Sequence, residues 1–181
     1  MPPVNRPSSP GTRYREALEG EDPIPSMRGA MRRIERAIHG LTARQLATVE
    51  ALGKWSIRDV IGHLADGEII LGARLRLIAA HDHPPIPGYD ENLFVARLGL
   101  GNASAKTLLD SFTHARATTL DLLARLPESA WKRTGIHSER GEESIDELVV
   151  MYAGHDRIHE KQIARVRAVV APPRARARRK R

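Results

Sequence analysis

Two histidines stand four residues apart in His155-Asp156-Arg157-Ile158-His159, and a third lies in a separate stretch, Gly62-His63-Leu64. On a helix advancing ~100° per residue, His155 and His159 fall about 40° apart. Leu148, Tyr152, Ile163 and Val166 share that side, so both imidazoles lie within the apolar stripe rather than at its edge. Buried ring nitrogens need partners, because an unpaired buried polar group costs about 1–3 kcal/mol. Either the rings are core histidines paired within the protein, or a divalent cation takes one nitrogen from each. His63 favours the cation: it shares a helical face with Val60, Gly67 and Ile70, beside a Leu64–Leu71 stripe. Three neutral imidazoles with a fourth position open make a catalytic type of site. Zinc or nickel suits such donors.

Two other metal chemistries fit less well. The same pentad has the shape of the zinc-protease pattern H-E-x-x-H, but Asp156 stands where the glutamate base should be and no later ligand motif follows. A di-iron bundle needs two E-x-x-H motifs, and the chain has none. Of the remaining histidines, His81 and His83 sit where a helix meets prolines, which suits a helix end. His39 and His114 are expected to be partly exposed, and His137 falls in a loop where sequence gives it no place.

The elements that must carry these residues read as helices. Met27, Met31, Ile34, Ile38 and Leu41 recur at spacings of four and three, with Ser26 as candidate N-cap and Gly40 near the stop. Thr42 to Gln45 can cap a short helix ending by Gly53. Ser56-Ile57-Arg58-Asp59 opens a long helix to about Asp82, in which Gly62 and Gly67 flank His63 and allow close approach of a neighbour. Pro84, Pro85, Pro87 and Gly88 break it, and 84–103 reads as a long connection with a short helix near 91–98. A third long helix spans about Ser104 to Leu126, and Ser144-Ile145-Asp146-Glu147 opens a fourth to about Val170. No period-2 strand stands out. The expected fold is all-α, a four-helix bundle with a long crossover connection, over residues 26–171.

Composition limits the alternatives. The chain of 181 residues suits one domain; it is 41% apolar and 28% charged, a globular balance. No apolar run approaches the ~20 residues of a membrane span, and the first residues lack the apolar core of a secretory signal, so a cytoplasmic protein is expected. With no cysteine, disulfides, thiolate metal sites and a cysteine nucleophile are excluded. Six of the seven net positive charges lie in Arg174–Arg181. Residues 172–181 are therefore expected to form a disordered basic tail, touching nucleic acid weakly if at all. Residues 1–25, with six prolines, are expected to be disordered too.

Lys54-Trp55-Ser56-Ile57-Arg58-Asp59-Val60-Ile61-Gly62-His63-Leu64 resembles the "W-S, then helix, then G-H-L" segment of the DinB-like (YfiT-like) superfamily. Ala153 to Ile163 is similar to its closing H-D-x-x-H-x-x-Q-I segment, and Pro87-Gly88-Tyr89-Asp90, Arg133 to His137 and Gly141 resemble one subgroup. The likeness spans about residues 26–170. It implies a bundle of unusual connectivity, often a homodimer, with a divalent metal on His63, His155 and His159, acting on a small-molecule substrate. Some relatives transfer a low-molecular-weight thiol, which matches a chain lacking its own; a metal-bound thiol is deprotonated, whereas metal-bound water gives hydrolysis. Three further residues are catalytic candidates: Arg116, near the third helix's apolar face, as a snorkelling or anion-binding group; Asp156, as a carboxylate orienting a ligand; and Tyr89, reaching the pocket with Asp90. The alternative is a non-catalytic, oligomerising bundle with structural metal or none.

Overall fold

The computed structural model describes residues 10–171. In chain order its helices are α1 (Pro10–Ala17), α2 (Pro23–Ile38), α3 (Ala43–Leu46), α4 (Ile57–Ala80), α5 (Glu91–Arg97), α6 (Ala105–Arg125) and α7 (Ile145–Val170). Single 3-10 segments occupy Leu100–Asn102 and Glu128–Lys132, and three short strands, β1 (Pro85–Ile86), β2 (Thr134–His137) and β3 (Gly141–Ser144), complete the chain. Three of the long helices, α4, α6 and α7, begin at the expected caps Ser56, Ser104 and Ser144. Ser56 Oγ accepts from the Asp59 N–H at 3.2 Å while the Asp59 carboxylate accepts from the Ser56 N–H at 3.0 Å. Thr42 and Gln45 exchange the same pair of bonds, and the Ser144 N–H donates to Glu147 at 2.9 Å.

Helices α2, α4, α6 and α7 make the bundle, packed in the ring α2–α7–α4–α6. Cross-helix contacts fix their directions. Arg33 meets Glu160 and Arg167 meets the Ala37 carbonyl, so α2 and α7 run parallel. Glu68 meets Arg116 and Gly72 meets Thr119, so α4 and α6 are also parallel. His63 meets His155 while Arg74 meets Tyr152, which makes α4 and α7 antiparallel. Two parallel neighbours in sequence require a connection as long as the bundle, and residues 81–104 supply it. Leu100 packs onto Gly62, where a Cβ would lie 2.5 Å from a Leu100 methyl, so the glycine before His63 admits the crossover.

The strands escape the sequence pattern. β1 pairs parallel with β2, and β2 pairs antiparallel with β3; each is four residues or fewer, too short to show a period. They close the end of the bundle where α4 and α6 finish and α7 starts. Among the described residues no helix is long and apolar enough to cross a membrane.

The N-terminal expectation needs correction over residues 10–25. Those residues are helical in α1 and the start of α2, with Leu18 buried. The prolines read as breakers serve as helix starts: Pro23 and Pro25 lie in the first turn of α2, where a missing N–H costs nothing. Asp22 takes the N-cap position expected of Ser26, which is buried inside the helix. Residues 1–9 and the basic tail 172–181 lie outside the described residues.

Helix α1 lies against α7 at Gly154, where a Cβ would overlap the Tyr14 carbonyl group, with the carbonyl carbon at 2.5 Å and the Tyr14 Cα at 2.7 Å. Gly→Ala inside a helix ordinarily stabilises by about 1 kcal/mol. Here Gly154→Ala is expected to destabilise by about 1–3 kcal/mol and to expose α1 to protease. Urea denaturation with limited proteolysis checks it; a gain in stability would show that α1 does not dock there.

Candidate metal centre

α4 carries His63 two turns beyond its cap, and α7 carries His155 and His159 one turn apart on the face turned toward α4. Their Nε2 atoms converge: His155 Nε2 lies 2.9 Å from His63 Nε2 and 3.1 Å from His159 Nε2. One nitrogen from each ring falls within 4.8 Å of the others. Trp55, from the turn before α4, covers the cluster, with its ring 4.8 Å from His63 and nearly parallel to His159 at 6.3 Å. Tyr14 and Tyr152 flank His155 at 6.2 and 5.9 Å.

The donor set suits a cation better than it suits itself. His159 Nδ1 lies 2.7 Å from Gln162 Oε1, an acceptor, so that nitrogen carries the proton and Nε2 presents a lone pair. His155 Nε2 faces two other Nε2 atoms and has at most one proton to share between them. Burial, followed by charge repulsion among the rings, lowers the pKa of His63 to about 3 and that of His155 well below its ordinary value. Burial lowers His159 as well, partly opposed by Gln162. All three are neutral at pH 7, the state in which imidazole ligates.

Without metal, this burial has a cost in acid. The unfolded chain protonates its histidines near pH 6.5 while the folded one resists, so the unfolded state binds more protons below that pH. Stability of the metal-free protein is expected to fall by about 1.4 kcal/mol per pH unit per buried imidazole below pH ~6.5. Urea denaturation of chelator-treated protein at pH 7.5 and pH 5 tests this. Equal stability at both would mean the rings protonate in place.

The cluster forms the floor of a cavity of about 300 Å³. Its walls come from α1 (Arg13, Tyr14), from the crossover (Gly88, Tyr89, Glu91), from the β2–β3 region (His137, Glu139, Arg140), and from Arg74 and Tyr152. Tyr89 therefore reaches the pocket as the sequence suggested; its ring packs 5.8 Å from the Arg74 guanidinium. Asp90 instead caps α5, accepting from the N–H groups of Asn92 and Leu93. Gly67 makes room for the Tyr89 hydroxyl, which lies 3.3 Å from where a Cβ would stand.

Asp156 and Arg116 differ from expectation, and neither lines the cavity. Asp156 follows His155 by ~100° of helical turn, which aims it at α6 rather than at a histidine. There both its oxygens accept from Arg116, at 2.7 and 3.2 Å. Arg116 is 4% exposed, so it does not snorkel; its Nη2 also lies 2.7 Å from Glu68 and its Nη1 donates to the Met27 carbonyl. Burial alone would lower the Arg116 pKa, and the two carboxylates more than offset that and raise it. The carboxylate's expected task of orienting a histidine falls to Gln162, which holds His159.

His137, which sequence left unplaced, is buried at the end of β2 beside Arg74. His81 ends α4 through its backbone, His83 contacts Thr134 and Glu142, and His39 and His114 are exposed. Arg74 and Glu68 were missed, yet both carried a signal: Glu68 fills the turn where the apolar stripe of α4 skips from Leu64 to Leu71, and Arg74 falls on the helical face of His63 and Gly67.

The sequence profile of the DinB superfamily matches residues 27–163, a span that holds all three histidines. The chain belongs to the DinB superfamily. Relatives include "Putative metal-dependent hydrolase OB0782" of Oceanobacillus iheyensis, 31% identical over 128 residues, covering 71% of this chain and 74% of that one. A "Putative metal-dependent hydrolase" of Bacillus mycoides is 28% identical over 134 residues, covering 74% and 77%. The DinB-type fold matches that of YfiT from Bacillus subtilis, described as "a probable metal-dependent hydrolase with an unusual four-helix bundle topology". The TM-score is 0.75 at 21% identity, over 92% of this chain and 91% of that one. The two parallel helix pairs and the long crossover are this chain's form of that bundle.

Proposed function

We propose that this DinB-superfamily chain is a metal-dependent enzyme acting on a small molecule, with His63, His155 and His159 holding one divalent ion. The observation that carries the reading is the convergence of three neutral imidazoles on the floor of a walled cavity. Zinc or nickel fits an all-imidazole set. When bound, such an ion supplies a Lewis-acid centre that lowers the pKa of a coordinated thiol or water. The protein's own groups do the rest. Gln162 fixes the tautomer of His159, Trp55 and Tyr14 pack their rings beside the cluster, and the cavity holds the substrate against it.

The nucleophile we favour is an external low-molecular-weight thiol. The carboxylates on the cavity wall, Glu91 and Glu139, are exposed, and neither is bonded to the histidines. Among the described residues, the cavity wall thus holds no carboxylate bonded to the cluster as a base for water, whereas a thiol needs less help. Hydrolysis is the second reading, supported by the names of the relatives. Zinc- and nickel-loaded protein assayed on chlorodinitrobenzene with L-cysteine, and on p-nitrophenyl acetate without thiol, separates them. Turnover that needs both thiol and metal supports S-transfer; turnover without thiol supports hydrolysis. Protein that takes up no metal and shows neither activity would leave only a non-catalytic bundle.

A further inference from the structure

Arg74 is a buried cation whose charge the metal reading leaves unused. It is 3% exposed, sits three turns along α4 from His63, and lines the same cavity. The other buried arginine on this core, Arg116, is matched by two carboxylates. Among the described residues Arg74 is ion-paired with none. Its partners are all uncharged: Nη2 donates to the Pro87 carbonyl at 2.6 Å and lies 3.2 Å from His137 Nε2, while Nη1 donates to the Tyr152 hydroxyl at 3.3 Å. Its Nε is buried with no partner among the described residues. A buried charge without a counter-charge is costly, and a ligand that brings the counter-charge removes the cost.

Tyr152 completes the feature. Its hydroxyl accepts from Arg74 and, among the described residues, finds no acceptor for its own proton. Burial raises its pKa, so that proton stays in place at any ordinary pH. Its ring lies 5.9 Å from that of His155, which sets the pair beside the histidine floor.

We propose that Arg74 and Tyr152 form an anion subsite, and that the cavity takes small molecules bearing an oxyanion, a carboxylate or a phosphoryl group. The Nη1 hydrogen not given to Tyr152 and the phenol proton together present two donors, one of them charge-assisted, that such oxygens accept. A cavity of about 300 Å³ lies at the small end of ligand pockets, which limits the occupant to metabolite size. Assigning the anion to a substrate rests on the function proposed above; the subsite itself does not.

The test is calorimetric titration of the metal-free, full-length protein with succinate, inorganic phosphate and, as neutral isostere, succinamide. At least one anion binds and raises the melting temperature, succinamide does neither, and the tighter anion tells carboxylate from phosphoryl. Arg74→Gln weakens binding at least tenfold, Tyr152→Phe weakens it several-fold, and Arg74→Lys restores part. Melting without anion shows whether each variant is folded; should Arg74→Gln fail to fold, Tyr152→Phe decides. The subsite falls if succinamide binds as well as succinate, if neither anion binds, if the folded variants keep full affinity, or if anions bind only after metal loading. A protein that binds anions through Arg74 yet takes up no zinc or nickel would instead refute the metal reading and leave the subsite standing.

Discussion

Arg116→Met is expected to destabilise the protein by about 3–5 kcal/mol, because it strands Asp156 and Glu68 in the core without their shared counter-charge. Both carboxylates are at most 1% exposed at the side chain, so water cannot take the place of the guanidinium. For a domain of this size the loss corresponds to a melting temperature lower by roughly 6–20 °C. The consequence reaches the histidines, since the ion triad joins α4, α6 and α7, and the Met27 carbonyl adds α2. Glu68 is five residues from His63, and Asp156 is next to His155, so the network locks the two helices that carry the imidazoles. Replacing all three charges together, Glu68→Leu, Arg116→Met and Asp156→Leu, is expected to recover most of the loss. Denaturant titration of both variants measures this. A single variant within 1 kcal/mol of the parent would show that the triad is not what holds these helices.

Removing one imidazole has the second large effect. His155 is the ring between the other two, and His155→Ala is expected to reduce zinc affinity by more than the ~10–100-fold typical of losing an outer hydrogen-bond partner of a ligand. Gln162→Leu, which leaves all three rings but frees the His159 tautomer, belongs inside that ~10–100-fold range. Competition against a chromophoric chelator gives both constants. Equal affinity in His155→Ala and the parent would place the ion elsewhere.

Much of this architecture was legible in the amino-acid order, because caps and helical periods are local. Ser56 with Asp59, Ser144 with Glu147, and the stripes they open located the two helices that carry the histidines to within a residue or two. Angles on a single helix put His155 and His159 together on the apolar side. What that helix faced was not legible, since it depends on the register between helices. So Asp156 was sent toward a ligand when Arg116, shared with Glu68, held it. Arg74 and Glu68 were passed over because charged side chains on a helix are usually solvated, although Glu68 sits within the α4 stripe and Arg74 on the face of His63. The sheet and α1 stayed hidden for another reason. Strands of two to four residues exist only through pairing at long range, and α1 depends on the bare Gly154 surface of a helix 140 residues away.

Whether His63, His155 and His159 hold one divalent ion is decided by elemental analysis combined with X-ray absorption, on protein purified without a metal-affinity column. The expected result is about one zinc or nickel per chain with imidazole nitrogens in its first coordination sphere, lost in His155→Ala. Protein that retains no ion after loading with either metal, or an ion bound without imidazole, would contradict it.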